Sequence, residues 1–221
     1  PDLASGTWNI VFVRGPQTAR LLGLPMEKAI CDSAVLLRRI PDLPAPASGV
    51  GIAFMPHFES LKRGDWARVC RLAGITLIDP TEPPEEVIAR IRGAELLITE
   101  AMHGAIVADA LRVPWVPAVP FHASHRMKWA DWASALDVEP NWTQLLPSTI
   151  RELVARVTGR GAERLQSIRW LDGIVFRAVN GVLARFAATR LKNIAATRKG
   201  IQCTGRRGRR NCGWLRWRCR G

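Results

Sequence analysis

Short apolar runs bounded by turn residues alternate along this chain with segments whose apolar positions recur every three or four residues. Asn9–Val13 (NIVFV) is a β-branched run, and Arg14-Gly15-Pro16 opens a helical segment, Gln17–Leu22, that stops at Gly23. Cys31–Leu37 is a second apolar run, and the Pro-rich loop Pro41–Ser48 after it marks a subdomain boundary. Beyond that loop, strand patterns at Val50–Met55, Ile75–Ile78, Glu95–Thr99 and Trp115–Val119 alternate with helical patterns at Leu61–Leu72, Pro84–Ile91 and His103–Leu111. Gly74 marks the end of the first of these helices. The spacing predicts an α/β fold, a doubly wound, Rossmann-like parallel sheet with helices on its faces.

Arg126–Leu136 also has helical spacing, with Trp129 and Trp132 three apart on a packing face. From Ile150 to Thr189 the same period, interrupted near Gly159 and Gly161, predicts a long or broken terminal helix covering the sheet. Four regions follow: 1–40, the end of an N-terminal region or first subdomain; 41–145, a Rossmann-like ligand-binding domain; 146–196, C-terminal helices; and 197–221, a basic irregular tail.

At 221 residues and 48% hydrophobic, the chain can bury the core of one large domain, which excludes disorder throughout. It has no run of about 18 uninterrupted apolar residues and no basic-then-apolar leader, so a soluble protein is expected. The first residue is Pro and a strand-like run follows almost at once, so the chain is expected to be the C-terminal part of a longer protein. Five irregularly spaced cysteines fit a reducing cytoplasm, with Cys31 and Cys70 as buried structural thiols. The net charge of +13 would suggest a nucleic-acid partner, but nine of those charges fall between Thr197 and Gly221, a stretch with no acid. The body is ordinary, and no nucleic acid is expected as a partner. The Arg, Gly, Trp and Cys bias of the tail resembles GC-rich codons read out of frame. Its rival explanation is a basic arm using Trp214 and Trp217 for membrane or nucleic-acid contact.

In a doubly wound sheet, ligands sit beyond the carboxyl ends of the strands. The residues there are Arg14, His57, Asp79 and Glu100–Gly104. Ala101-Met102-His103-Gly104 puts an imidazole at a helix N-terminus beside a glycine that lets a ligand approach, which favours an anion. Arg14 can grip a phosphate or carboxylate with two prongs, and His57 has the same placement at a strand end. Asp79, in Asp-Pro-Thr, reads as a turn former. His122 and His125 (HASH) lack Cys or carboxylate companions, and no metal is expected there. The chain contains no Gly-rich phosphate loop, no Gly-x-Ser-x-Gly elbow and no redox cysteine pair, which removes those enzyme classes.

Taken together, Val13-Arg14-Gly15-Pro16 with Leu21-Leu22-Gly23, Asp32-Ser33-Ala34-Val35-Leu36-Leu37, and His103-Gly104-Ala105-Ile106-Val107-Ala108-Asp109-Ala110-Leu111 with Val113-Pro114-Trp115 resemble the polysaccharide pyruvyl transferase family. The resemblance spans Trp8–Val138 and is closest to the branch that adds ketal pyruvate to exopolysaccharides such as succinoglycan. It implies a glycosyltransferase-B-like architecture of two halves, with 41–145 as the donor-binding domain of the second half. It also implies an enzyme that takes pyruvate from phosphoenolpyruvate, without a cofactor, and joins it to a polysaccharide or its lipid-linked precursor. Such an enzyme would be cytoplasmic, peripheral to the inner face of the cytoplasmic membrane. Carried over by position, His103 is the catalytic residue, Arg14 the donor arginine, and Gly104 the glycine beside them. The family's Ser-Arg-Leu before the histidine is Glu100-Ala101-Met102 here, so Arg126 or Lys128 is expected to replace the missing second arginine. Two alternatives stand: a sugar-nucleotide-dependent glycosyltransferase of the same fold, and a noncatalytic binder acting through the basic tail.

Overall fold

The computed structural model describes residue 6 and residues 8–120, 123–137, 139–158 and 174–202. Four parallel strands, β1 (Gly51–Met55), β2 (Thr76–Leu77), β3 (Ala94–Thr99) and β4 (Trp115–Pro117), form one sheet in the order β2-β1-β3-β4. Ala53 stands opposite both Thr76 and Leu97, and Leu97 opposite Trp115. Side chains leave the two faces alternately. Phe54, Leu96, Ile98 and Val116 enter one core, and Ala53, Met55, Leu97 and Trp115 the other. Both faces are therefore apolar, as a buried parallel sheet requires.

On the first face lie α3 (Trp66–Ala73) and α8 (Ile174–Gln202). Ala184, Ala187, Ala188 and Ala195 of α8 are all buried there, and their small side chains let the helix lie close. The second face carries α4 (Pro84–Gly93), α5 (Met102–Ala110) and α6 (Ala123–Ala135). Trp115 of β4 meets Trp129 and Trp132 of α6 at ring-centroid distances of 6.1 and 5.9 Å. These tilted aromatic contacts add to the area that the rings bury. The expected parallel α/β arrangement is present, and both tryptophans pack as their spacing suggests. Among the described residues the remaining α-helices are α1 (Pro16–Leu21), α2 (Phe58–Arg63) and α7 (Ile150–Thr158).

Several elements differ from expectation. The Asn9–Val13 strand reduces to a single bridge between Val13 and Ala29, with Val11 72% exposed, because no described strand extends the ladder. The Cys31–Leu37 run becomes a 3-10 helix, Ser33–Arg39, because Asp32 caps it by accepting the Ala34 N–H at 3.0 Å. The helix expected over Leu61–Leu72 is split into α2 and α3. Asp65 restarts it by accepting the Arg68 N–H at 3.3 Å, while a Cβ on Gly64 would lie 2.6 Å from both Ser148 Oγ and Trp66 Nε1. Gly74 closes α3 with φ 66°, the left-handed cap its position suggests. α8 continues through Gln202, past the Thr197 at which the irregular tail was expected to begin. Gly159, Gly161, Trp214 and Trp217 lie outside the described residues. No helix among the described residues is long and apolar enough to cross a membrane.

Candidate functional site

Chain order in the sheet reverses between β1 and β3, since β2 was added on one side of β1 and β3 on the other. The crevice beyond the carboxyl ends of these two strands is the place where open α/β sheets bind ligands. His57 follows β1, and Glu100 to Gly104 follow β3. The two loops are tied together: the Glu100 N–H donates to Met55 O at 3.1 Å, and the His57 N–H donates to Glu100 Oε2 at 3.2 Å. Glu100 is fully buried, and burial pushes its carboxyl pKa up to about 7, against the lowering effect of the Ser60 hydroxyl that it accepts.

His103 is the second residue of α5, whose N-terminus has no side-chain cap and no acid in its first turn. Its backbone N–H groups and positive dipole end are thus available to an anion. The side chain is 67% exposed, with Nε2 3.8 Å from Asp32 Oδ2. Arg14 Nη1 approaches the same oxygen at 4.0 Å. Asp32 itself is buried, and its other oxygen is occupied in capping the 3-10 helix that packs on α5. One carboxylate therefore holds an imidazole and a guanidinium that are 89 residues apart in sequence at a shared point.

Arg14 is fixed from the other side by α6. Asp131 accepts the Gln17 N–H at 2.7 Å and the Thr18 hydroxyl at 2.5 Å, closing the start of α1 immediately after Arg14. Gly15 lets this approach happen, because a Cβ there would run into the Asp131 backbone carbonyl.

Gly104 is buried, and a Cβ on it would lie 2.7 Å from Met55 Sδ and 2.9 Å from Thr99 Oγ1. The space its missing side chain leaves is thus taken up by the sheet, so close packing on Met55 and Thr99 is one reason for a glycine here. His57 caps α2 by accepting the Glu59 N–H on Nδ1 at 3.4 Å and lies against the ring of His125 at 4.1 Å, rather than on the Asp32 group. Arg126 and Lys128 are exposed on α6, and no ion pair among the described residues joins either to Asp32. Asp79 forms its turn by accepting the Thr81 N–H at 2.8 Å and the Thr81 hydroxyl at 2.6 Å. His122 lies outside the described residues. Sequence reasoning missed Asp32 and the role of Asp131. Asp32 had a signal, a capping residue ahead of an apolar run; Asp131, in mid-helix, had none.

The chain is 40% identical over 139 residues to the succinoglycan biosynthesis protein ExoV of Rhizobium meliloti (strain 1021), covering 62% of this chain and 44% of that protein. The chain therefore spans less than half the length of this relative. No solved structure matches it. The family model for polysaccharide pyruvyl transferase matches residues 3–119, more than half of the chain and the segment that holds Arg14, Asp32, Glu100 and His103. The chain belongs to the polysaccharide pyruvyl transferase family.

Proposed function

We propose that this chain carries the donor site of an enzyme that transfers pyruvate from phosphoenolpyruvate to a sugar of a cell-surface polysaccharide or its lipid-linked precursor, forming a ketal and releasing phosphate. The observation that carries this reading is the convergence of Arg14 and His103 on Asp32 beside the uncapped start of α5. Family membership supplies the reaction class.

Phosphoenolpyruvate presents a phosphate and a carboxylate. A guanidinium takes one of these in a two-pronged contact, and helix-start N–H groups take the other. Asp32 keeps the guanidinium and the imidazole together at the site. Its contacts of 3.8 and 4.0 Å exceed hydrogen-bond length, so a bound anion can compete for them. His103, exposed at the start of α5, then protonates the methylene carbon, leaving C2 electron-poor. One sugar hydroxyl adds to C2 and its proton restores the imidazolium. The C2–O bond to phosphate breaks, a second hydroxyl adds, and its proton leaves with the phosphate. The donor becomes a methyl-bearing ketal carbon bonded to two sugar oxygens. In this reading the sheet described above belongs to the second of two glycosyltransferase-B-like halves, and the protein works peripherally at the inner face of the cytoplasmic membrane, where lipid-linked acceptors lie.

The test is release of phosphate from phosphoenolpyruvate by the purified protein supplied with lipid-linked oligosaccharide. Release that requires acceptor and is lost in His103→Ala supports both the reaction and the residue. Consumption of a sugar nucleotide, with no response to phosphoenolpyruvate, would replace this proposal with glycosyl transfer.

A further inference from the structure

We propose that His57, Glu59 and His125 form a binding site for a divalent transition-metal ion of the zinc class, separate from the Arg14–Asp32–His103 group. One ligand atom from each of the three lies within 4.8 Å of the other two. Ligands around a tetrahedral zinc ion at about 2.0–2.2 Å stand roughly 3.4 Å apart, so rotamer adjustments of about an ångström close the set. The imidazoles of His57 and His125 are already side by side, with ring centroids 4.1 Å apart at 35°. Glu59 Oε2 lies 3.8 Å from His57 Nδ1.

The donor chemistry selects the ion. Two imidazole nitrogens and one carboxylate oxygen, without a thiolate, suit zinc and its first-row neighbours and do not suit calcium or magnesium, which take oxygen ligands. Three protein ligands leave coordination positions open, the arrangement of a site that keeps water or substrate on the metal. Solvent reaches the group, since the side chains of His57 and Glu59 are 18% and 34% exposed. Arg63 Nη2, 3.8 Å from Glu59 Oε2, can steady the carboxylate beside the ion, the outer support that metal-bound carboxylates commonly have.

The sequence argued against a metal because the HASH segment lacks companions. The fold supplies them from the loop after β1 and the first turn of α2. His125 lies beyond residue 119, where the family match ends, so this site does not follow from the family segment alone. A bound ion would clamp the β1–α2 loop to α6, the helix whose Asp131 holds the turn that carries Arg14.

The test uses the chain without a histidine tag, stripped with chelator and then titrated with zinc against a chromogenic competitor, and with cobalt(II) followed by its visible spectrum. The expected result is one ion per chain, a raised Tm, and a cobalt spectrum without the thiolate charge-transfer band that cysteine ligation would give. His125→Ala should weaken binding at least tenfold. His57→Asn should do the same while keeping an acceptor for the α2 cap, with circular dichroism confirming that each variant is folded. The proposal is overturned if the wild type binds no stoichiometric ion, if a thiolate band appears, or if affinity is unchanged in both variants. None of these readouts needs phosphoenolpyruvate or an acceptor, so the outcome is independent of the proposed reaction.

Discussion

Replacing Gly104 by Ala separates two explanations of a glycine that follows the candidate catalytic histidine. If Gly104 exists to let a ligand reach the backbone, alanine should weaken anion binding and leave folding unharmed, with helix propensity adding up to about 1 kcal/mol of stability. The structure argues for the opposite result. The new methyl would enter a space bounded by Met55 Sδ at 2.7 Å and Thr99 Oγ1 at 2.9 Å. The thioether can swing aside. The hydroxyl is less free, because it accepts the Ala101 N–H at 3.0 Å and donates toward Met55 O or Ala101 O, at 3.0 and 3.1 Å. Overpacking of this kind costs about 1–3 kcal/mol, which exceeds the propensity gain over most of that range. The net expectation is a loss of about 1 kcal/mol, equivalent to roughly 2–4 °C in Tm for a chain of this size. Urea denaturation at constant slope is the assay, with Met55→Ala as the control background: the added methyl should partly fill the cavity, so the double variant loses less than the sum of the single losses. An alanine variant as stable as wild type, with additive double-variant losses, would refute the packing account.

Two further perturbations test the frame of the site. Glu100 has a folded pKa near 7 against about 4.5 when exposed, so its contribution to stability is intact below about pH 4.5 and is lost as pH rises through about 7, by at most about 3 kcal/mol. Denaturation of the chelator-treated protein from pH 5 to 8 should show wild type falling relative to Glu100→Gln, and parallel curves would exclude the effect. Asp131→Ala removes the acceptor for Gln17 N and the Thr18 hydroxyl, and should cost about 1–2 kcal/mol, as helix-cap deletions do. Phosphoenolpyruvate binding, measured by calorimetry, should weaken with it through the loosened Arg14 turn and recover in part in Asp131→Asn; unchanged binding in the alanine variant would detach α6 from the site.

What the sequence revealed depended on how local the determining force was. Strands β1, β3 and β4 were legible because each is a short apolar run ended by a turn, which is all that a doubly covered strand requires. Asn9–Val13 has the same local pattern and forms one bridge, since a strand also needs a neighbour that no pattern within it can specify. The split between α2 and α3 falls on Gly64-Asp65, a helix breaker followed by a capping residue, and the helical spacing of Trp66, Val69 and Cys70 begins only beyond it. The break is reinforced from outside, where Ser148 occupies the space beside Gly64 and accepts the Asp65 N–H at 2.9 Å. At the site, the strand-end rule found His57 and His103 directly. Asp32 was passed over because its importance lies in packing the 3-10 helix against α5, which brings it to a histidine 71 positions later.

The same distinction orders the members of the site by how firmly each is held. His103 rises from a helix that begins two residues after β3, and Asp32 is fixed by its own cap against that helix, so both are one step from the sheet. Arg14 is several steps away. It precedes α1, a six-residue helix too short to persist without tertiary support. That support is Asp131, placed by α6, which is seated in turn by Trp129 and Trp132 against Trp115 of β4. Each link is a packing or hydrogen-bond contact with its own tolerance, and the displacements accumulate toward the guanidinium. An arginine held in this way suits a donor-gripping role better than one at the bond-breaking step, because a long charged side chain can follow a phosphate or carboxylate over an ångström without losing its contact. Proton transfer to carbon allows no such latitude, and the imidazole that would perform it stands on the shortest path to the sheet.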